Sequence, residues 1–354
     1  MRSFDPDFLR RQQIPLSLLT TIRELGEYKG KQELYKEQAP QVLRTLREAA
    51  VIHSTESSNR IEGVIASRER IRELVEHRTE PRNRSEQEIA GYRDVLQTIH
   101  ASHPHVALGT GVVLQFHRDL YQFLPGYGGR WKMAPNEITE TRADGTHAVR
   151  FRTVPPFQTA DAMKRLHERF ALEWERGEVD PLLLIPAYVL DFLCIHPFLD
   201  GNGRMARLLT LLLLYKAGYE VGRYVSLETA VEGTKDGYYD TLHKSSQGWH
   251  EGEHSLLPWW EYFCGVMLRT AYREFEGRVG AVTGARGAKR EMLLDAVERL
   301  PAQFRFADLE RACLGISRPT INRVLAELRK GGRIALVKEG RDATWQKVET
   351  IPGT

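Results

Sequence analysis

The chain has 354 residues with 50 Lys and Arg against 47 Asp and Glu, a formal charge of +3. With 42% hydrophobic and 27% charged residues it reads as a soluble protein, large enough for a sizeable core and more than one domain. Three scattered cysteines (Cys194, Cys264, Cys313) make no disulfide or metal pattern, the charged N-terminus lacks the apolar run of a secretion signal, and no apolar stretch is long enough to span a bilayer, so a cytoplasmic location without a membrane partner is expected.

Hydrophobic periodicity is mainly helical and predicts helices near 14–28, 40–55, 67–77, 84–100, 110–124, 158–176, 180–195, 202–217, 234–246 and 254–278. In chain order, the first segment with unusual content is Ser57-Ser58-Asn59-Arg60-Ile61-Glu62-Gly63. It reads as a short helix ended by Gly63 at C′, with Glu62 an exposed end acid and Ser58 an ordinary polar residue. The helical pattern breaks after Gly126-Tyr127-Gly128-Gly129. Two short β-prone runs, 136–139 and 147–151, flank the turn-prone Arg142-Ala143-Asp144-Gly145, which predicts a hairpin.

Residues 196–207 carry the most chemistry: His196, Pro197, Phe198, Leu199, Asp200, Gly201, Asn202, Gly203, Arg204, Met205, Ala206 and Arg207. The spacing predicts a tight turn over 200–203 and a helix beginning near Asn202. Backbone N–H groups of Gly201, Asn202 and Gly203 would converge at that helix N-terminus, which makes an anion site. Arg204 and Arg207, three apart, share one face and present planar donors to phosphate oxygens. Asp200 beside a polyphosphate suits Mg²⁺. His196 is the nearby group whose ordinary pKa, about 6.5, suits a general base at neutral pH. The parts make a nucleotide-phosphate cradle with a base at its lip.

Downstream, Tyr238-Tyr239 lies on a helix after Ser226-Leu227-Glu228, and His243, His250 and His254 read as solvated loop histidines rather than a metal set. A Gly/Ala linker at 283–288 introduces a change of character. From 285 to 348 there are 14 Lys/Arg against 8 Asp/Glu, net +6, which leaves −3 for the rest. Helical patterns at 288–299, 306–313 and 318–330 precede two β-prone runs, 333–338 and 343–348, around Gly340-Arg341. That order reads as a winged helix-turn-helix. Ser317, Arg318, Thr320, Asn322 and Arg323 open its second helix with side chains suited to phosphates and base edges. DNA is one partner such a domain would take; dimerisation or target docking is the other use.

The run at 196–207 resembles the Fic signature His-x-Phe-x-(Asp/Glu)-Gly-Asn-Gly-x-x-Arg at every specified position: His196, Phe198, Asp200, Gly201, Asn202, Gly203 and Arg207. The fold expected from this resemblance is mainly α: a Fic-type helical bundle with a small β-hairpin flap, plus the C-terminal winged helix-turn-helix domain. Residues 1–100 would form an N-terminal helical region, 101–280 the catalytic core and 285–350 the last domain. Fic proteins mostly transfer AMP from ATP to a hydroxyl of a target protein. The resemblance therefore implies ATP as substrate, His196 as the base and Asp200 as the Mg²⁺ ligand. It makes Gly201, Asn202 and Gly203 the anion hole and puts Arg204 and Arg207 on the β- and γ-phosphates. A flap at about 136–154 would lie over the site and pair with extended target backbone, with Arg150, Phe151, Arg152 and Thr153 nearest the ATP. Tyr238 and Tyr239 would border adenine and ribose.

Ser58, Glu62 and Gly63 also match the family's inhibitory motif, (Ser/Thr)-x-x-x-Glu-(Gly/Asn). Its position at 58–63, upstream of the core in the same chain, resembles the class II arrangement. Glu62 would then pair with Arg207 and put a like charge where the γ-phosphate belongs. The implied protein is an autoinhibited adenylyltransferase acting on the Ser, Thr or Tyr hydroxyl of a target or of itself, and such proteins often form homodimers. Alternatives are a de-AMPylase or another Fic-type phosphate-transfer enzyme, and an ATP-sensing DNA-binding regulator. Gly203 speaks against the Doc-type kinase, which has Lys there, and an intact His196 is of no use to a pure sensor.

Overall fold

A computed structural model describes the chain except residues 1, 6, 39, 125, 142–146, 284–287, 314–315, 339, 341–342 and 349–354. The hairpin turn expected at 142–145, the middle of the expected linker, and Gly315 and Arg341 thus lie outside the described residues. The elements, in chain order, are α1 (Leu16–Gln38), α2 (Pro40–Ile61), α3 (Arg68–Val75), α4 (Arg84–Ser102), α5 (Thr110–Leu120), β1 (Glu137–Thr141), β2 (His147–Arg152), α6 (Pro156–Arg176), α7 (Pro181–Ile195) and α8 (Asn202–Lys216). They continue with α9 (Leu227–Gly233), α10 (Lys235–Ser246), α11 (Leu257–Glu261), a π-helix (Tyr262–Leu268) and α12 (Arg269–Thr283). Last come α13 (Ala288–Arg299), β3 (Gln303–Arg305), α14 (Phe306–Ala312), α15 (Arg318–Lys330), β4 (Ile334–Lys338) and β5 (Thr344–Lys347). Two compact units emerge: 1–32 with 48–272, and 33–47 with 273–354.

The first unit is built around α7 and α8, which pack against each other. Every residue of α7 from Leu182 to Ile195 is buried, as is every residue of α8 from Arg204 to Tyr215. Helices buried on all sides belong in the middle of a bundle. Each fully buried Leu or Phe there contributes about 1.5–3 kcal/mol. Asp180 starts α7 by accepting from the Leu182 amide at 2.8 Å, with Pro181 in the first turn where its missing N–H costs nothing. Pro186, in mid-helix, cannot donate to the Leu182 carbonyl. The Cys264 thiol takes that carbonyl at 3.6 Å, while the Trp260 and Trp259 indoles donate to Leu183 and Pro186 carbonyls.

The segment read as a short helix over 57–63 is instead the C-terminal end of the 22-residue α2. Its stop is as expected. Gly63 sits at φ +78°, its N–H bonds the Arg60 carbonyl, and the Val64 N–H bonds the Asn59 carbonyl, a Schellman closure. Leu227–Gly233 is a helix that periodicity did not single out; the Ser226 hydroxyl caps it by accepting from the Thr229 amide. β1 and β2 pair antiparallel with an irregularity between Ile138 and Thr139.

In the second unit β3, β5 and β4 form a three-stranded antiparallel sheet in that order. α15 buries Ile321, Val324, Leu325 and Leu328 at helical spacing against Leu293, Phe304, Leu309, Ile334 and Trp345. Its other face leaves Asn322 and Arg323 exposed. Arg318 is exposed too, but Glu310 holds its guanidinium by two bonds of 2.7 and 3.2 Å.

Candidate active site

α7 ends on His196, whose backbone turns into the left-handed region at φ +51°. That conformation reverses the chain and begins the loop leading to α8. The loop is held rigidly. Phe198 is fully buried and stacks on His117 of α5 at 3.6 Å. His117 Nδ1 accepts from the Gly129 amide, so Nε2 carries the proton and donates to the Asp200 carbonyl at 3.1 Å. Burial takes His117 down to about 4, so it stays neutral in this clamp. The Asn202 side chain closes the loop on itself, accepting from the Phe198 amide and donating to the Phe198 carbonyl. Asn202 was expected in the anion hole; its side chain is engaged in the loop, and its backbone amide is what remains for an anion.

Gly201 precedes α8 at φ +81°, and a Cβ there would meet the Tyr121 hydroxyl at 3.0 Å. The first-turn amides of α8 have no intrahelical partner, which leaves a donor cluster with the helix dipole behind it. The Asp200 carboxylate is 57% exposed at this mouth; one oxygen accepts from the Gly201 amide and the other lies 3.9 Å from Arg84.

His196 sits just behind. Its Nδ1 is 3.2 Å from the Leu193 carbonyl, which fixes the proton on Nδ1 and leaves the Nε2 lone pair available. Burial, opposed by that hydrogen bond and helped by Lys132, lowers the imidazole to about 4. It is therefore neutral throughout the physiological range, the state a general base needs.

The two arginines have different surroundings. Arg204, expected on the phosphates, is 1% exposed and turned inward: Glu88 of α4 pairs with it at 2.7 Å and the Tyr121 hydroxyl accepts from it at 2.8 Å. Arg207 lies under α2. Its Nε donates to Ser58 Oγ at 2.8 Å, and its Nη2 donates to the Ser58 carbonyl at 2.9 Å and to Glu62 Oε1 at 2.8 Å. Burial, the largest single influence, opposes its charge, but Glu62 together with Tyr238, Tyr92 and Tyr239 holds Arg207 above its ordinary pKa. Glu62 reaches this position over Gly203, where any Cβ would collide with its Oε1.

Ser58, Glu62, Gly203 and Arg207 thus meet at one point, and α9 and α10 fix the C-terminal end of α2 there. The Lys235 ammonium donates to the Ile61 carbonyl at 2.8 Å, Arg60 pairs with Glu232 at 2.9 Å, and Ser57 bonds Thr229 at 3.0 Å. Tyr238 is buried and Tyr239 packs edge-on to it; both rings stand beside Arg207 and Glu62.

In the flap, Phe151 packs inward on His250 and Trp249, Thr153 is buried, and Arg152 is exposed with Glu137 3.7 Å away. Arg150 lies half-buried beside them on β2. Of the three histidines read as solvated, His250 is exposed and His254 is otherwise placed. His250 donates to the Arg152 carbonyl at 2.7 Å, and His254 is buried, bonded to Ser3 at 2.9 Å and stacked on Phe8.

Several site residues carry no local signal: His117, Glu88, Arg84, Lys132 and Tyr92, the last of which donates to the buried Glu228 at 3.0 Å. Each acts across a sequence gap of tens of residues. Among the described residues no three His, Cys, Asp or Glu side chains cluster to hold a metal, and no helix is long and apolar enough to cross a membrane.

A sequence model of the Fic/DOC family matches residues 107–214, the span from α5 through α8. A 118-residue stretch is 29% identical to protein adenylyltransferase fic-1 of Caenorhabditis elegans, covering 32% of this chain and only 21% of that protein. Among solved structures, a Fic family protein from Desulfovibrio desulfuricans superposes with a TM-score of 0.60 at 21% identity, over 95% of this chain and 97% of the other. A Fic domain signaling protein from Bacteroides thetaiotaomicron gives 0.57 at 20% identity, over 72% and 97%. A portion of Fic-1 from C. elegans gives 0.56 at 20%, over 73% and 72%. The mainly helical fold is therefore a Fic fold, and the chain carries a domain of the Fic/DOC family.

Proposed function

We propose that the chain is an autoinhibited protein adenylyltransferase that transfers AMP from ATP to a Ser, Thr or Tyr hydroxyl of a target protein or of itself, held in check by Glu62 in the class II manner. The observation carrying this reading is the shared position of Glu62 and the phosphate cradle. The inhibitory carboxylate lies over Gly203 on Arg207, beside a neutral His196 with its Nε2 free.

In this reading the α8 amides and Arg207 bind the polyphosphate. His196 Nε2 takes the proton of the acceptor hydroxyl as its oxygen bonds to the α-phosphorus. The bond from that phosphorus to the bridging oxygen breaks, and pyrophosphate leaves with the electron pair. Asp200 fits Mg²⁺ as a single half-exposed carboxylate, with phosphate oxygens completing the shell; the ion would neutralise phosphate charge. While Glu62 holds Arg207, the γ-phosphate has neither its cation nor its space, and the α-phosphorus is out of line for attack. The flap would present the acceptor in extended form, and Tyr238 and Tyr239 would flank the base and sugar.

The direct test is labelling by α-³²P-ATP. Glu62→Gly protein should incorporate label and the added His196→Ala change should abolish it. Label from γ-³²P-ATP instead would overturn AMP transfer in favour of phosphate transfer.

The C-terminal unit, from about residue 285, fits a winged helix-turn-helix through the order of α13, α14 and α15 before the β4–β5 wing. The exposed Asn322 and Arg323 on α15 favour DNA as its partner.

A further inference from the structure

Lys132 is buried at 3% exposure, and no carboxylate pairs with it among the described residues. Its ammonium has three N–H donors, and all three are used: on Asn136 Oδ1 at 2.7 Å, Thr153 Oγ1 at 2.8 Å and the Ile195 carbonyl at 3.0 Å. These acceptors come from three places. Asn136 immediately precedes β1, Thr153 immediately follows β2, and Ile195 is the last residue of α7, next to His196.

The network closes on itself. The Asn136 amide donates to the Phe198 carbonyl at 2.8 Å and the His196 carbonyl at 3.3 Å, the Thr153 hydroxyl donates back to Asn136, and the Lys132 amide donates to the Pro197 carbonyl at 2.8 Å. A cation at the C-terminal end of α7 also meets the negative end of the helix dipole, which helps it remain charged without an acid. The ammonium satisfies the last carbonyl of α7, which has no partner within the helix. It serves to join the flap to the catalytic loop.

We propose that Lys132 is a positioning residue that ties both feet of the β1–β2 flap to the backbone bearing His196, so that an acceptor presented by the flap arrives in register with the base. This rests on the reading of His196 as the base of AMP transfer. Lys132 itself touches neither nucleotide nor acceptor. Without its ammonium the Thr153 end loses its link to the backbone before His196 and only the Asn136 amide still reaches that loop, so the distance between flap and base is less firmly fixed.

The test uses the full chain with Glu62→Gly, alone and with Lys132→Met or Thr153→Val. Amide exchange is followed at 137–141 and 147–152 against α7 and α8, MgATP affinity by calorimetry, and self-labelling by α-³²P-ATP. Loss of the tie should raise flap exchange by about tenfold while α7 and α8 stay protected, with the MgATP affinity of the Lys132→Met protein unchanged within about twofold. Self-labelling turnover should fall with flap protection, since misplacement of reacting groups costs rate rather than nucleotide binding.

Wild-type flap exchange in a folded Lys132→Met protein would overturn the proposal, as would loss of protection spread equally over α7 and α8. Thr153→Val keeps the buried cation and removes one foot, so it decides the matter under the same criteria if Lys132→Met does not fold. Should Glu62→Gly protein carry no AMP while the variants loosen the flap, AMP transfer fails and the tie stands. Should labelling occur and the flap remain protected, the tie fails and AMP transfer stands.

Discussion

Replacing Glu62 by glycine removes one side of a single ion pair, and its size can be worked from the structure. The carboxylate and guanidinium meet at 2.8 Å, with Arg207 6% and Glu62 30% exposed. Two unit charges about 4 Å apart at an effective dielectric of about 20 attract by about 4 kcal/mol. Partial exposure of Glu62 and competition from water reduce this to about 2–3 kcal/mol. Arg207 loses no other support, since Ser58 still takes two of its bonds at 2.8 and 2.9 Å. The freed guanidinium and the space over Gly203 then pass to the γ-phosphate. At about 1.4 kcal/mol per tenfold, AMP incorporation should rise about 30- to 150-fold. The gain should lie in kcat, with the KM for ATP little changed, because the pair affects alignment of a nucleotide that binds in either case. Initial rates of α-³²P-ATP self-labelling against ATP concentration measure both. Glu62→Gly protein that melts normally and labels at the wild-type rate would refute the argument that Arg207 is being withheld.

Two other outcomes follow from the charges. His196, depressed by burial to about 4, stays neutral well below pH 6.5, so kcat/KM of the Glu62→Gly protein should hold to about pH 5 and fall as pH drops through about 4; an acid limb centred near 6.5 would contradict the burial. The same sign governs stability: the folded state resists protonation of His117, His167, His196 and His254, so stability complete above pH 6.5 should be lost progressively down to about pH 4, as thermal melts across that range would record. If the C-terminal unit binds DNA, log affinity should fall linearly with log salt at a slope of about −0.9 per phosphate contacted, and Arg323→Ala should weaken it more than Arg318→Ala, whose guanidinium Glu310 already holds. A salt-independent or absent shift would leave the unit a docking module.

What could be read locally was read well. The tight turn before Asn202, the apolar runs of α7 and α8 and the glycine stop at Gly63 are all encoded within a few residues. The direction of a side chain around its helix is less legible. Arg204 and Arg207 are three apart and expected to act together, yet Glu88 and Tyr121 take the first and Ser58 and Glu62 the second. Which partner each meets depends on α4 and α2, more than a hundred residues upstream, and no periodicity within 196–207 contains that information. His117 and Lys132 are further cases. A histidine in an ordinary amphipathic helix and a lysine in a loop acquire meaning only through the carbonyls of Asp200 and Ile195.

His196 holds a left-handed backbone that costs an ordinary residue on the order of 1 kcal/mol and a glycine almost nothing. Backbone preference therefore gives no support to the histidine; in the proposed reading its place is kept for the reaction. A lineage that no longer required the reaction could exchange His196 for glycine and relieve that strain at the cost of the bond to the Leu193 carbonyl, with the cradle of α8 amides and the Glu62–Arg207 pair intact. Descent from such an enzyme would tend toward stable proteins that bind nucleotide without reacting, rather than toward unfolded ones.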